Sequence, residues 1–247
     1  MAPDRDERRG RATSFANVAD AYERSRPGYP DDAVRWLVGT EPLDVVDLGA
    51  GTGKLTRSLV ALGHRVTAVE PLPEMLAHLE AAVPGVHVIE GGAEAIPLPD
   101  ESADVVTAAQ AFHWFDRGPA LREIARVLRP GGRIALVWNT RDEREPWVAQ
   151  LSKEALASEG VVERDAAAPV SESGLFGEME PEEFPFSQRL DREGLVGLVL
   201  SRSYCAVLGP EERAPVLDRV EQIFEEHEVD GMIELPYVTQ CFRAPRR

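Results

Sequence analysis

A chain of 247 residues with 43% hydrophobic content has enough apolar material for one large α/β domain and is short for two. Its 43 Asp and Glu against 27 Lys and Arg leave a formal charge of −16. Most of such a surface repels a phosphate polymer, and no Lys/Arg-rich stretch with interleaved aromatics offsets it, so no nucleic acid is expected as a partner and small molecules become the expected substrates.

The first 13 residues, dense in Asp, Glu and Arg, read as a disordered tail. From Ser14 to Tyr29 the apolar residues Phe15, Val18, Ala19 and Tyr22 recur at helical spacing until Pro27 and Gly28 end the run. Pro30 opens a second helix, with Asp31 and Asp32 in its first turn and Val34, Leu37 and Val38 on one face. Alternation then sets in. Asp44 to Leu48 predicts a buried strand, Lys54 to Leu62 a helix closed by Gly63, and Arg65 to Glu70 the next strand. A helix opened by Pro73 and a strand from Val86 to Glu90 repeat the unit. Ala103 to Ala109 reads as strand four, Pro119 to Leu128 as a helix stopped by Pro130-Gly131-Gly132, and Arg133 to Trp138 as strand five. Short connections and right-handed crossovers make this a parallel sheet. Beyond Asn139 the spacing predicts a helix over Pro146 to Ser158, a loop over Ala166 to Gly177 and a strand over Phe184 to Leu190. Helices over Glu193 to Leu200 and Pro210 to His227 and a last strand over Glu234 to Arg243 complete the chain. The organisation expected is one domain over 14–247, with lead-in helices over 14–40, a ligand-binding core over 41–140 and a substrate-side region over 141–247.

Cys205 and Cys241 are too few and too far apart for a disulfide framework or a cysteine zinc site, and the five histidines at 64, 78, 87, 113 and 227 show no paired ligand spacing. No metal is expected. No uncharged run reaches the about 18 residues that span a bilayer, and the acidic N-terminus has no apolar segment of a leader, so no membrane role and a reducing cytoplasmic setting are expected. The sequence carries no marker of oligomeric state.

The junction of the first strand and its helix, Asp47-Leu48-Gly49-Ala50-Gly51-Thr52-Gly53, carries the chemistry. A Walker phosphate loop needs Gly where Leu48 stands and Ser or Thr where Leu55 stands, and a dinucleotide fingerprint needs a third Gly or Ala where Lys54 stands. What remains is acid-x-Gly-x-Gly-x-Gly. Without Cβ atoms such a turn adopts positive φ and lets a ligand lie on bare backbone, while the helix N-terminus favours a carboxylate. Glu70, at the carboxyl end of the second strand, can accept both hydroxyls of a ribose, and Leu72 after it can pack on an adenine. Glu70 would serve an NAD enzyme as well.

The turn resembles the first motif of class I S-adenosylmethionine-dependent methyltransferases. Gln110-Ala111-Phe112-His113-Trp114-Phe115-Asp116 after strand four, Tyr22-Glu23-Arg24-Ser25-Arg26-Pro27-Gly28-Tyr29-Pro30 in the lead-in, and Arg202-Ser203-Tyr204 are similar to a small-molecule subgroup of that family that includes trans-aconitate methyltransferase-like proteins. The resemblance implies a Rossmann-like fold: seven strands, mostly parallel, helices on both faces, an antiparallel last strand. It implies S-adenosyl-L-methionine as cofactor, with Asp47 ordering the turn and the ammonium end and with Gly49, Ala50, Gly51, Gly53 and Gln110 around it. Many relatives carry an acid where Gly92 stands, so the adenine contact falls here to the Ala93 backbone or to Glu94. Tyr22 and Arg26 are expected to fold over the bound cofactor as a lid.

The sulfonium already activates the methyl group, so the protein chiefly aligns an acceptor atom and excludes water. His113, at the carboxyl end of strand four, sits where a proton can be taken from a hydroxyl or acidic carbon. Phe112, Trp114, Trp138 and Tyr204 are expected to line an aromatic acceptor pocket, with Arg141 and Arg202 available to a substrate carboxylate. The expected function is methyl transfer to O, N or C of a small molecule. An S-adenosylmethionine-binding protein without transfer, or an NAD-dependent oxidoreductase, stay open at this point.

Overall fold

The computed structural model describes residues 26–155, 168–200, 205 and 208–247. The expected tail and most of the lead-in helix, including Tyr22, lie outside these residues, as do Arg202 and Tyr204. Along the chain run α1 (Asp31–Val38), β1 (Asp44–Leu48), α2 (Lys54–Ala61), β2 (Arg65–Glu70), α3 (Pro73–Ala82), β3 (His87–Glu90) and β4 (Ala103–Ala109). A single 3₁₀ turn (Phe112–Trp114), α4 (Arg117–Val127), β5 (Leu128–Arg141), α5 (Pro146–Ala155), α6 (Ala168–Glu172), β6 (Glu180–Leu190), α7 (Arg192–Leu200), α8 (Pro210–His227) and β7 (Ile233–Pro245) follow. No helix among the described residues is long and apolar enough to cross a membrane.

The sheet order is β3-β2-β1-β4-β5-β7-β6, mostly parallel with an antiparallel last strand and helices on both faces, a Rossmann-like arrangement. β1 lies between β2 and β4 in parallel register, Asp47 opposite Ala68 on one side and opposite Thr107 on the other. The order reverses at β1 and β4, which makes the carboxyl ends of these strands the switch point where open α/β sheets bind ligands.

Two compact units emerge. The described residues of the first are 28–139, 168–184 and 239–247, and those of the second are 26–27, 140–155, 185–200, 205 and 208–238. In the first unit the strand alternation sorts side chains onto two faces. Ile134, Leu136 and Trp138 of β5 join Val46, Leu48 and Val106 in one core, covered by Leu121 and Ile124 of α4. Ala135 and Val137 join Val45 and Val105 in the other, covered by Val34, Leu37 and Val38 of α1 and by Leu55 and Leu59 of α2. The second unit has its own core, in which Val148 and Leu151 of α5 share a cluster with Leu195 and Leu198 of α7 and Ile223 and Phe224 of α8.

Among the differences from the elements the sequence predicts, three have a plain physical reason. β5 begins at Leu128, before the Pro130-Gly131-Gly132 breaker, because Leu128 already pairs with Ala103; an irregularity follows before Arg133 pairs with Val105, with Gly131 at φ +81°. The breaker ends the helix without ending the ladder. The expected loop over Ala166 to Gly177 holds the short helix α6, whose Val170 enters the core. β6 starts at Glu180 rather than Phe184, since its first four residues are exposed and leave no apolar alternation to read.

Candidate functional site

The turn after β1 is pinned to β2. The Gly49 and Ala50 N–H groups both donate to the Val69 carbonyl, at 2.8 and 3.2 Å, and Gly49, Gly51 and Gly53 take φ values of +68°, +57° and +86°. The three glycines differ in what surrounds them. A Cβ on Gly49 would stand 2.8 Å from Ala111 Cβ, and one on Gly53 2.9 Å from Leu79 Cγ, so those two glycines allow close packing of the turn. A Cβ on Gly51 would meet nothing within 4 Å. Gly51 therefore presents bare backbone to open space at the switch point. Gly53 caps α2 in the left-handed region and, as a glycine, brings no side-chain cap to the helix.

Glu70 closes the turn from β2. It is 6% exposed; its Oε2 accepts from the Gly51 N–H at 3.0 Å and its Oε1 from the Leu72 N–H at 3.1 Å. Burial pushes its carboxyl above the usual range, the two backbone N–H groups oppose that shift, and nearby Asp47 adds to it. Each oxygen keeps a lone pair beyond its backbone bond, the acceptor capacity that a pair of ribose hydroxyls needs. The bare backbone at Gly51, at the entrance to α2, and this carboxylate fit a nucleoside ligand.

Asp47 points inward. Its Oδ2 accepts from Thr56 Oγ1 at 2.6 Å and its Oδ1 from Thr107 Oγ1 at 3.0 Å, tying β1 to α2 and β4. Thr56 and Thr107 are the residues sequence reasoning missed here; the signal for Thr107 was a polar residue inside the apolar run of strand four. Burial is the largest influence on Asp47 and pushes its carboxyl from 3.8 up to about 6, against the pull of Thr56 and Thr107. Since the folded value lies above the unfolded one, the Asp47 contribution is intact below about pH 4 and lost as pH rises through about 6. At pH 8 the ionised group costs on the order of 3 kcal/mol. Asp47→Asn is therefore expected to unfold at a higher temperature than the wild type at pH 8, with the gap closing at pH 4. Thermal scans at the two pH values check this, and a gap that does not change with pH would show that the charge is not its cause.

The segment after β3 is held from α4. The Arg126 Nη1 donates to the Leu98 carbonyl at 2.8 Å and Nη2 to the Ile96 carbonyl at 2.9 Å, while Glu123 Oε2 accepts from the Ile96 N–H at 2.9 Å. Within this segment the Ala93 side chain is 4% exposed and sits in the core, leaving only its backbone for a ligand. Glu94 is exposed and accepts from the Asp116 N–H at the start of α4 at 2.8 Å.

At the end of β4, Gln110 adopts φ +54°, a left-handed conformation that costs a non-glycine residue roughly 1 kcal/mol or more. Its Nε2 donates to the Asn139 carbonyl at 3.1 Å. Asn139, unread in the sequence, is a hub: Nδ2 donates to the Gly28 carbonyl at 2.8 Å and Oδ1 accepts from Thr239 Oγ1 at 2.7 Å. Past Gln110 the chain makes its 3₁₀ turn, on which His113 is exposed, its ring 4.7 Å from that of half-buried Trp114.

Two expected pocket residues are corrected. Phe112 is 1% exposed and Trp138 2% exposed, and both belong to the core, Phe112 against Phe115 and Trp138 against Phe242. A side chain so enclosed offers no face to an acceptor. Arg26 and Arg141 lie in the second unit, where Arg141 Nε donates to Ser152 Oγ at 2.8 Å.

Comparison with known proteins matches residues 46–136 to a family model described as a methyltransferase domain. An uncharacterised methyltransferase of Mycobacterium tuberculosis is 46% identical over 240 residues, covering 96% of this chain and 97% of that protein. An uncharacterised methyltransferase-like protein of Schizosaccharomyces pombe is 38% identical and covers 95% of each chain. Among solved structures, one described as a type II methyltransferase from Anaeromyxobacter dehalogenans superimposes with a TM-score of 0.68 at 27% identity, over 90% of this chain and 97% of that one.

Proposed function

The chain belongs to the class I S-adenosylmethionine-dependent methyltransferases, and we propose that it moves a methyl group to an O, N or C atom of a small molecule. The observation that carries the reading is Gly51, bare toward open space with its N–H on the Glu70 carboxylate. In this reading the remaining lone pairs of Glu70 receive the ribose hydroxyls, Leu72 packs on the adenine, and the Ala93 backbone or Glu94 takes its edge. The methionine carboxylate lies toward the N-terminus of α2, beside the backbone of Gly49, Ala50, Gly51 and Gly53. Asp47 sets the turn through Thr56 and Thr107, and its buried charge favours the ammonium end. The cofactor, when bound, supplies a methyl group on a sulfonium, open to displacement by an acceptor atom in line with the S–CH3 bond. Gln110 braces the end of β4 through Asn139, so that the turn bearing His113 starts from a fixed backbone. The net charge of −16 favours a small acceptor over a nucleic acid.

Calorimetry with S-adenosylhomocysteine, followed by labelled-methyl transfer to a panel of polycarboxylates, phenols and amines, tests the proposal. Heat from the homocysteine product and label on a small acceptor are expected; heat from NADH and none from S-adenosylhomocysteine would overturn it.

His113 is the proposed base. With a hydroxyl or acidic-carbon acceptor, His113→Ala is expected to lower kcat about 100-fold or more. An acceptor that arrives ionised is expected to react at the wild-type rate. Equal kcat for wild type and variant on a hydroxyl acceptor rules out the base.

A further inference from the structure

We propose that Asn139 is a positioning residue for the nucleoside site: its side-chain amide clamps the Gly28 carbonyl onto the carboxyl end of β5 and so fixes the Gly28 stretch at the β4–β5 edge of the site. The assignment rests on reading the glycine turn as an S-adenosylmethionine site.

Every residue of the clamp belongs to the first unit. The turn after β1 packs against the turn after β4, since a Cβ on Gly49 would stand 2.8 Å from Ala111 Cβ. Gln110, the residue before Ala111, is fixed to β5 twice. Its backbone N–H donates to the Val137 carbonyl at 2.9 Å and its Nε2 to the Asn139 carbonyl at 3.1 Å. From there the Asn139 side chain reaches onward: Nδ2 donates to the Gly28 carbonyl at 2.8 Å, and Oδ1 accepts from Thr239 Oγ1 at 2.7 Å. A carbonyl only accepts, so the NH2 of the amide faces Gly28, and fully buried Thr239 holds the other end. One line of contacts thus runs from the glycine turn to Gly28.

The stretch Pro27-Gly28-Tyr29-Pro30 has few groups by which to be held in register. Neither proline has an N–H to donate. Gly28 is exposed and has no side chain, and a Cβ there would meet nothing within 4 Å. Tyr29 packs on the core under α1, which leaves the Gly28 carbonyl to set the residue before it. Asn139 takes that carbonyl across 111 positions of sequence. Gln110 marks the same edge as one where backbone is kept in a costly conformation, φ +54°, which persists only where the surroundings over-determine it.

The test uses the full chain and three variants. Asn139→Asp keeps the acceptor for Thr239 and loses the donor to Gly28, Asn139→Ala loses both bonds, and Thr239→Val loses only the Thr239 bond. By calorimetry, Asn139→Asp and Asn139→Ala are each expected to weaken S-adenosylhomocysteine about tenfold, the worth of one hydrogen bond, and Thr239→Val less than about twofold. Thermal unfolding is expected to show Thr239→Val and Asn139→Asp destabilised to a similar degree, so that affinity and stability part company. The 13C shift of the Gly28 carbonyl, read without ligand, is expected to move in both Asn139 variants and to stay in Thr239→Val. Affinity that follows Tm through all three variants overturns the positioning role, as does an Asn139→Ala chain that binds as the wild type does. A loss confined to Asn139→Asp would trace to the added charge and overturn it too. A wild type that gives no heat with S-adenosylhomocysteine while the Gly28 shift still responds to Asn139 would instead sink the cofactor reading and leave the clamp standing.

Discussion

Gly51→Ala is expected to fold and to lose S-adenosylhomocysteine at least 100-fold. The backbone cost is modest, because a non-glycine residue at φ +57° sacrifices about 1–2 kcal/mol and the new methyl meets nothing within 4 Å. The functional cost is large, because that methyl projects into the space where the ligand would lie on bare backbone. Gly49→Ala and Gly53→Ala are the controls. Their methyl groups would stand 2.8 Å from Ala111 Cβ and 2.9 Å from Leu79 Cγ, so both are expected to lose several kcal/mol of stability on top of the φ penalty. Thermal scans with calorimetry on the three variants separate the effects. A Gly51→Ala chain that binds S-adenosylhomocysteine as tightly as the wild type would place the ligand elsewhere.

Glu70→Gln is expected to weaken cofactor affinity by a similar factor, about 100-fold or close to 3 kcal/mol. The carboxylate accepts from two backbone N–H groups at once, Gly51 on one oxygen and Leu72 on the other. An amide has one oxygen. Whichever way it is turned, its NH2 faces an N–H, so either the turn or the start of α3 loses its bond, and one ribose hydroxyl loses an acceptor. The same logic sets a pH dependence. Burial raises the Glu70 carboxyl above its ordinary range and holds Asp47 at about 6, so the negative charge behind the turn falls as Asp47 takes up its proton below neutral pH. Affinity for S-adenosylhomocysteine is therefore expected to fall from pH 7.5 to pH 5.5 in the wild type and to be flatter in Asp47→Asn. Calorimetry at the two pH values reads this directly, and a flat wild-type profile would count against proton linkage at the site.

The core of the first unit was legible because its strands are short apolar runs between glycine and proline punctuation. Asp44 to Leu48, Arg65 to Glu70 and Ala103 to Ala109 end in the structure where the pattern ends. Where two signals compete, the sequence misleads. Pro130-Gly131-Gly132 stops a helix, but nothing local reveals that Leu128 is already paired with Ala103, a contact made across the sheet. The candidate site divides the same way. The glycines and Glu70 follow from spacing, since only a few chemistries use that turn. Thr56, Thr107, Asn139 and Thr239 did not, because a buried hydroxyl or amide owes its role to a partner set by tertiary structure. Phe112 and Trp138 show the converse: an aromatic at a strand end looks the same in sequence whether it walls a pocket or fills a core, and here burial assigns both to the core.

The Asn139 hub sets a timetable for synthesis. One of its partners, Gly28, lies 111 positions earlier and another, Thr239, lies 100 positions later. A ribosome adding about 5–20 residues per second makes Thr239 roughly 5–20 s after Asn139. By then the glycine turn, Glu70 and the Gln110 bond have all been translated, so the nascent chain can assemble its nucleoside-binding half around β1 and β4 while the hydroxyl that completes the hub does not yet exist. Closing a span of that length carries a loop-entropy cost that the short βαβ units do not, and it makes the docking of β7 beside β5 the natural late step of folding.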